Sequence, residues 1–302
     1  MEGIVVTAAG GFFTVRRAGG ESYLCRARGR LKQEHGSILV GDAVIFQPEE
    51  TAATAERPGG GAEGAGVIVE RRPRKTVLLR PPVANVEQMV LVLALKEPAP
   101  DWLLAGRILL QGERERLELV CCLNKTDLAD AAEKEAAAAT LSPLPYPLLW
   151  CSASEGVGIA PLREKLKGRF SVFAGPSGAG KSSLLNAVQP GFGLKTGKVS
   201  QKIGRGRHVT RHVELLALPG GGFVVDTPGF SRLSFADLEP ERLGDLFPEF
   251  APHREGCSFR NCNHMHEPGC AVREAAAAGL INRCRYRQYR QFWQELKDKE
   301  KW

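Results

Sequence analysis

Short runs of β-branched and aromatic residues alternate with glycine-containing turns in the first 70 or so residues. The runs lie at residues 4–6, 12–15, 23–25, 44–46 and 67–69, and Gly-Gly or Gly-Asp pairs separate the first four. Five short strands in this length predict a small β-barrel, of which the OB-fold is the best-known nucleic-acid-binding type. Residues 49–66, rich in Ala, Gly and Glu, predict a mobile surface loop.

The hydrophobic pattern changes after residue 72. The continuous apolar run at 89–95 predicts a strand buried on both faces, and the runs at 117–123, 148–151 and 170–174 predict further strands. Helical patterns begin after Asp101, at 130 and at 182, and residues 213–218 and 223–226 predict a hairpin. Strands that alternate with helices predict an α/β domain with helices on both faces of the sheet.

The amino-acid composition changes again near Phe235, where Cys, His, Arg and aromatic residues become more frequent. Residues 271–300 read mostly as helix, and one face would carry Tyr286, Tyr289, Phe292, Trp293 and Leu296. The fold class is therefore multidomain α/β. We predict an RNA-binding barrel over 1–72, a nucleotide domain over 73–234 and a metal-stapled helical domain over 235–302.

The distribution of charged residues along the chain predicts a polyanionic partner. Lys and Arg total 41 against 34 Asp and Glu, and the 302-residue chain carries a formal charge of +7. The basic residues cluster at 195–211, at 71–80 and in the tail, the last with Arg283, Arg285, Arg287 and Arg290. Each cluster alone fits a solvated surface, but three of them beside a nucleotide site favour nucleic acid.

A phosphate-binding loop follows the apolar run at 170–174. Residues 175–182 match G-x-x-x-x-G-K-[ST], in which glycines let backbone N–H groups converge on phosphate oxygens. Lys181 is the expected catalytic cation on the β and γ phosphates, and Ser182 the expected Mg²⁺ ligand. The expected nucleotide-binding residues here are Gly175, Pro176, Ser177, Gly178, Ala179, Gly180, Lys181, Ser182 and Ser183. The loop also resembles that of guanylate kinases, so a nucleotide kinase is an alternative.

Two segments before this loop favour guanine. Asn124-Lys125-Thr126-Asp127 ends an apolar run, and Asp127 would accept hydrogen bonds from the guanine N1–H and amine, which adenine cannot supply. Asn124 would contact the base edge and brace the loop, while the stem of Lys125 would cover the ring. Ser152-Ala153 would offer a backbone N–H to the guanine O6.

The switch residues come last along the chain. Asp226 of Asp226-Thr-Pro-Gly229 would hold Mg²⁺ through water, and the Gly229 amide would sense the γ-phosphate. Thr210, with Thr196 as its rival, is the expected switch threonine on Mg²⁺. Many GTPases carry a water-orienting glutamine after this glycine, where this chain has Phe230. His208 is the candidate replacement, although it also fits a plain surface histidine.

A cysteine-histidine cluster lies near the C-terminus. Cys257, Cys262, His264 and Cys270 supply three thiolates and one imidazole, the complete shell of a structural zinc site. His266, His253 and Cys284 are rival ligands. Cys121, Cys122 and Cys151 lie in apolar runs and are expected in the core.

The order of the motifs is rotated, because an ordinary GTPase carries its phosphate loop first and its base-reading motif last. This order, the Gly-Arg-His208-Val-Thr210 loop and the Cys-x₄-Cys-x-His-x₅-Cys segment are together similar to one family. It is the bacterial small-ribosomal-subunit biogenesis GTPases, ribosome small subunit-dependent GTPase A. The resemblance implies an OB-fold, a circularly permuted GTPase domain and a C-terminal zinc domain.

The resemblance also implies binding to the 30S subunit and its 16S rRNA late in assembly, with GTP hydrolysis stimulated there and used for release. The expected cofactors are one structural Zn²⁺ and Mg²⁺ with GTP. The sequence has neither an N-terminal signal pattern nor an apolar stretch of about 18 residues, so we expect a cytoplasmic protein that does not contact a membrane. We also expect a monomer. A third possibility is an RNA-binding scaffold that senses guanine nucleotide without hydrolysing it.

Overall fold

A computed structural model describes residues 1–29, 37–49, 62–79, 82–194, 213–226 and 238–300. The first five strands close into a barrel in the order β1-β2-β3-β5-β4, in which β3 pairs in parallel with β5. This is the predicted OB-like topology, and Val5, Val15, Phe46 and Ile68 fill its core. The strands are β1 (Glu2–Ala9), β2 (Phe12–Arg16), β3 (Ser22–Ala27), β4 (Ala43–Glu49) and β5 (Gly64–Arg71).

Six further strands form one sheet in the order β10-β9-β8-β11-β13-β12. Its central strands are buried on both faces, since every residue of β8 and of β11 is buried, whereas β10 is only half-buried. The strands are β8 (Gln88–Ala94), β9 (Glu118–Asn124), β10 (Leu148–Trp150), β11 (Phe170–Ala174), β12 (Leu215–Ala217) and β13 (Phe223–Asp226). Between the barrel and this sheet in sequence, β6 (Val77–Leu79) and β7 (Pro82–Ala84) form a separate two-stranded ribbon.

Two helices begin at aspartate caps, and the first of these caps, Asp101, is the one that the sequence predicts. Asp101 accepts a hydrogen bond from Leu104 N at the start of the first helix, and Asp130 and Glu133 form a capping box at the second. The helices are α1 (Trp102–Arg114), α2 (Ala131–Leu141), α3 (Ile159–Leu166), α4 (Lys181–Val188), α5 (Ala251–Arg254), α6 (Ala271–Ala277) and α7 (Arg283–Glu300). No helix in the described part of the chain has both the length and the apolarity that crossing a membrane requires.

The C-terminal region has a core of its own that extends to α1. Tyr289, Phe292 and Leu296 of α7 are buried with Phe247 and Phe250, as the helical spacing predicts. Leu110 of α1 belongs to the same core cluster, joined by others that include Leu243, Val272 and Ile281. Residues 271–300 are mostly helical, as predicted, and a short break separates the end of α6 at Ala277 from the start of α7 at Arg283.

The basic cluster at 71–80 is partly neutralised within the protein. Arg74 donates to both carboxylate oxygens of the fully buried Asp42, at 2.7 and 2.8 Å. Arg72 bridges Glu2 and Glu70 at 2.6 and 2.9 Å on the surface. Arg72 and Arg74, which belong to the basic cluster predicted to bind a polyanion, therefore hold the segment after β5 against the barrel.

We expect Asp42→Asn to destabilise the barrel by roughly 3 kcal/mol, because the partly buried Arg74 guanidinium loses its fully buried anion and an amide N–H₂ then faces it. Hydrogen exchange of barrel peptides in the full-length protein measures the change. Glu70→Gln is the matched control, since it breaks an exposed ion pair that contributes at most about 1 kcal/mol. Equal effects of the two substitutions would contradict the structural role of the buried pair.

Candidate guanine-nucleotide and metal sites

The phosphate loop follows β11, and two of its glycines have no room for a side chain. Gly175 has φ 152°, and a Cβ there would lie 2.1 Å from the carbonyl oxygen of Val92. Gly180 has φ 90°, and its Cβ would lie 2.2 Å from Nδ2 of Asn124. The loop is therefore held against β8 on one side and against the base-reading segment on the other.

The loop leads directly into a helix, as the motif predicts. Helix α4 begins at Lys181. Its first backbone N–H groups and the positive end of its dipole therefore lie at the phosphate loop, where they favour binding of an anion. The Lys181 ammonium donates to the carbonyls of Gly175 and Pro176, both at 2.9 Å. These bonds hold a cation over the loop, where it can meet the phosphates of a nucleotide.

Asn124 joins three predicted loops through one buried amide. Its Nδ2 donates to the carbonyl of Ala179 in the phosphate loop at 2.9 Å. Its Oδ1 accepts a longer hydrogen bond, 3.4 Å, from the backbone N–H of Ala153. The structure thus brings together the segments at 124, 152 and 175, which lie far apart in sequence, and gives Asn124 the bracing role expected for it.

Asp127 lies on the exposed side of this group. Ser154 Oγ donates to its Oδ2 at 3.2 Å. A hydrogen bond from the Ser152 side chain is the main cause that lowers the pKa of Asp127, and Ser154 and the Lys125 cation act in the same direction. The carboxylate is therefore ionised at neutral pH and can accept the two donors of a guanine edge.

A segment that sequence reasoning missed supports Lys125. The Lys125 backbone is left-handed, with φ 60°, and its ammonium donates to the carbonyl of Glu97 just after β8. The neighbouring Pro98 packs on the phosphate loop, where its Cδ lies 3.2 Å from the Cβ position of Gly178. The turn after β8 thus contacts both the base-reading and phosphate-binding segments, and its only signal in the sequence is a proline after a buried strand.

The magnesium and switch residues are only partly described. Asp226 ends β13, which pairs in parallel with β11 and places Asp226 opposite Phe173. The hairpin of β12 and β13 forms as predicted, with Leu215 opposite Val225. His208, Thr210, its rival Thr196 and Gly229 lie outside the described residues, as does the whole basic cluster at 195–211.

The four expected zinc ligands lie together. The Sγ atoms of Cys257, Cys262 and Cys270 and a ring nitrogen of His264 are all within 4.8 Å of one another. His264 Nδ1 is 3.6 Å from Cys257 Sγ and 3.5 Å from Cys270 Sγ. Zinc bonds of about 2.3 Å to sulfur and 2.0 Å to nitrogen, at tetrahedral angles, put such atoms about 3.5 Å apart, so the set fits zinc. The rivals His266, His253 and Cys284 are not part of this group.

Glu267 organises the loop that presents His264. Its carboxylate accepts backbone N–H groups from Asn263, Met265 and His266, at 2.9 to 3.0 Å. Burial raises the pKa of Glu267, but these hydrogen bonds outweigh it and lower the pKa to about 2. They also hold His264 in a left-handed conformation, φ 56°, which an ordinary side chain rarely adopts.

The start of α6 and two tyrosines of α7 hold the loop that carries the Cys₃His group. Cys270 caps α6 by accepting the Arg273 N–H on its sulfur at 3.4 Å. Tyr286 and Tyr289 of α7 donate to the carbonyls of His264 and Asn263 at 2.7 and 2.6 Å. The loop is therefore fixed from both sides before any metal–ligand bond is counted.

Comparison with known proteins agrees with this geometry. The family model described as RsgA GTPase matches residues 71–236, and the RsgA N-terminal domain matches residues 2–54. The small ribosomal subunit biogenesis GTPase RsgA of Moorella thermoacetica is 44% identical over 301 residues, covering 100% of this chain and 99% of that protein. Its counterpart from Carboxydothermus hydrogenoformans is 42% identical over the same length, with equal coverage.

Two solved structures share the whole architecture. Crystalline YjeQ from Thermotoga maritima superposes with a TM-score of 0.82 at 39% identity, and 98% of each chain is covered. YloQ, described as a circularly permuted GTPase, gives 0.79 at 34% identity, with 98% of this chain and 95% of YloQ covered. The fold and the joined loops define a circularly permuted P-loop GTPase. Within that class, the chain belongs to the RsgA family.

We expect Glu267→Gln to weaken zinc binding by about tenfold or more, because an amide oxygen replaces the charged acceptor of three N–H groups that shape the His264 loop. Competition with a chromogenic chelator measures the affinity. Glu255→Gln, an exposed carboxylate before the same cluster, is the control. Zinc retained equally by both variants would show that Glu267 does not position the ligand loop.

Proposed function

We propose that this protein hydrolyses GTP and acts in the maturation of the small ribosomal subunit, with 16S rRNA as the partner on that particle. The observation that carries the nucleotide assignment is the buried Asn124 amide, which holds a phosphate loop and two guanine-specific segments together. The subunit assignment rests on family membership, because the curated relatives are named for biogenesis of that subunit.

Each site residue takes a defined role in this proposal. Lys181 neutralises the β and γ phosphates, and the amides from Gly175 to Ser183 surround them. Ser182, Thr210 and Asp226 hold Mg²⁺, two of them directly and Asp226 through water. Asp127 and Ala153 read the guanine, the stem of Lys125 covers its ring, and Gly229 senses the γ-phosphate.

Hydrolysis needs a group that orients the attacking water. Phe230 stands where many GTPases have a glutamine and has no polar atom to offer. We assign this task to His208, which lies two residues before the proposed Mg²⁺ ligand Thr210 and can accept a proton near neutral pH.

The remaining assignments follow from the same sites. The Cys₃His group holds one Zn²⁺, whose chemistry is structural, because four protein ligands leave no position for substrate. The nucleotide loops come from one chain, so a monomer suffices, and the partner particle places the protein in the cytoplasm. Residues 1–72 serve as the RNA-binding barrel, 73–234 as the GTPase domain and 235–302 as the zinc domain.

Phosphate release from GTP, with and without purified 30S subunits, tests the proposal. We expect slow release alone and strong stimulation by the subunit. Asp127→Asn should move the preference from GTP to XTP, because xanthine offers a carbonyl where guanine offers an amine. Unchanged GTP selectivity would remove Asp127 from base recognition. Transfer of phosphate to GMP rather than to water would identify a kinase instead.

His208→Ala should lower subunit-stimulated kcat by about 100-fold or more while GTP affinity changes less than about threefold, because general-base or water-positioning groups contribute on that order. Single-turnover hydrolysis and nucleotide binding are measured on the same preparation. His253→Ala is the control, a histidine outside both proposed sites. Full stimulated turnover in His208→Ala would require the 30S subunit to supply the water-orienting group.

A further inference from the structure

The four arginines of the tail cluster do not share one environment. Arg283, Arg287 and Arg290 are exposed, whereas Arg285 keeps only 2% of its surface accessible. Arg285 donates to Glu249 at 2.7 Å and to Gln288 at 3.0 Å and stacks its guanidinium over Phe247. The fold thus removes one cation into the core and leaves the other three, here called the arginine stripe, on the surface.

Helix geometry aligns the stripe. At about 100° and 1.5 Å per residue, Arg287 and Arg290 lie within about 60° of each other around α7, with Arg283 between them in angle, and the three span about 10 Å along the axis. Arg285 falls on the opposite side. Across the described ranges, no ion pair or hydrogen bond engages the three guanidinium groups of the stripe, unlike Arg72, Arg74 and Arg285.

The stripe is held in one orientation by the opposite face of α7. Tyr289, Phe292 and Leu296 are buried in the C-terminal core. Tyr286 and Tyr289 donate to carbonyls of the proposed zinc loop, and Gln288 donates to the Trp102 carbonyl at 2.6 Å. Rotating the helix would break all of these contacts, so the backbone that carries the arginines is fixed and only their side chains remain to be ordered on binding.

We propose that the arginine stripe binds the phosphate backbone of ribosomal RNA, an inference that rests on the proposed function. Three guanidinium groups on one side of the helix and without internal anions suit neighbouring phosphates, and each group can bind a phosphate bidentately. An anionic membrane is disfavoured, because α7 places its apolar residues in the core and exposes the polar Gln291 and Gln294 beside the stripe. The contact carries no sequence specificity and fixes the position of the C-terminal region on the RNA.

The test compares two variants that each remove three positive charges. Arg283→Gln/Arg287→Gln/Arg290→Gln removes the stripe, and Lys134→Gln/Lys165→Gln/Lys167→Gln removes cations from α2, α3 and the turn after it. Binding to a 16S rRNA transcript and to 30S subunits is titrated from 0.05 to 0.5 M KCl, a range of about tenfold in salt. Circular dichroism, zinc content and subunit-free GTP turnover should match wild type in both variants.

The stripe variant should lose roughly 100-fold in RNA affinity at 0.1 M salt, and its slope of log affinity against log salt should fall by about 2 to 3, as expected for three phosphate contacts. The control should lose much less. An Arg→Lys triple variant should recover most of the slope, since charge is restored. Unchanged RNA affinity and salt slope in the stripe variant, or an equal loss in the control variant, would overturn the proposal. So would a stripe variant that loses binding to phosphatidylserine vesicles or to ribosomal proteins but keeps its binding to RNA.

The outcome is separable from the proposed function. If wild-type protein shows no stimulation of GTP hydrolysis by 30S subunits, the proposed function fails. If stimulation occurs and the stripe variant binds RNA and subunits like wild type, only the stripe assignment fails.

Discussion

The nucleotide site depends on the hydrogen-bonding capacity of one buried side chain. Asn124 is 1% exposed, and its amide uses its donor on Ala179 and its acceptor on Ala153. A carboxylate or an aliphatic residue at this position would leave a buried backbone group without its partner, at about 1–3 kcal/mol each. The same bonds that stabilise the loops also set the distance between the phosphate-binding and base-binding ends of the site.

This constraint explains why the rotated motif order does not disturb the site. The loops that bind nucleotide follow the carboxyl ends of parallel strands, and such ends share one edge of a sheet whatever the order in which the chain visits them. Here β9 pairs in parallel with β10, and β11 with β13. Asn124 ends β9, and Gly175 follows β11, so the position of each residue in its strand, not its place in the chain, determines its role.

The sequence was sufficient wherever one local rule governed the outcome. The period of apolar residues located the barrel strands and the buried strands, and the capping residue Asp101 marked a helix start. The density of Cys and His identified the four members of the Cys₃His group as the first choice, and the geometry separates them from the rivals His266, His253 and Cys284. Their geometry rests on Glu267, whose importance could not be predicted, because it acts on backbone N–H groups that every residue possesses.

Tertiary contacts decided the rest. Four arginines within eight residues read as one basic cluster, yet Arg285 faces Glu249 in the core, since helical periodicity turns it away from its neighbours. The contact of Glu97 with Lys125 involves a backbone carbonyl, which leaves no mark in the sequence beyond Pro98.

The hydrogen bonds of Tyr286 and Tyr289 connect the metal-binding loop to the orientation of α7, and hence to the surface that α7 exposes. A zinc ion bound at the Cys₃His group would therefore stabilise more than its own loop. It would also hold in place the outer face of the helix.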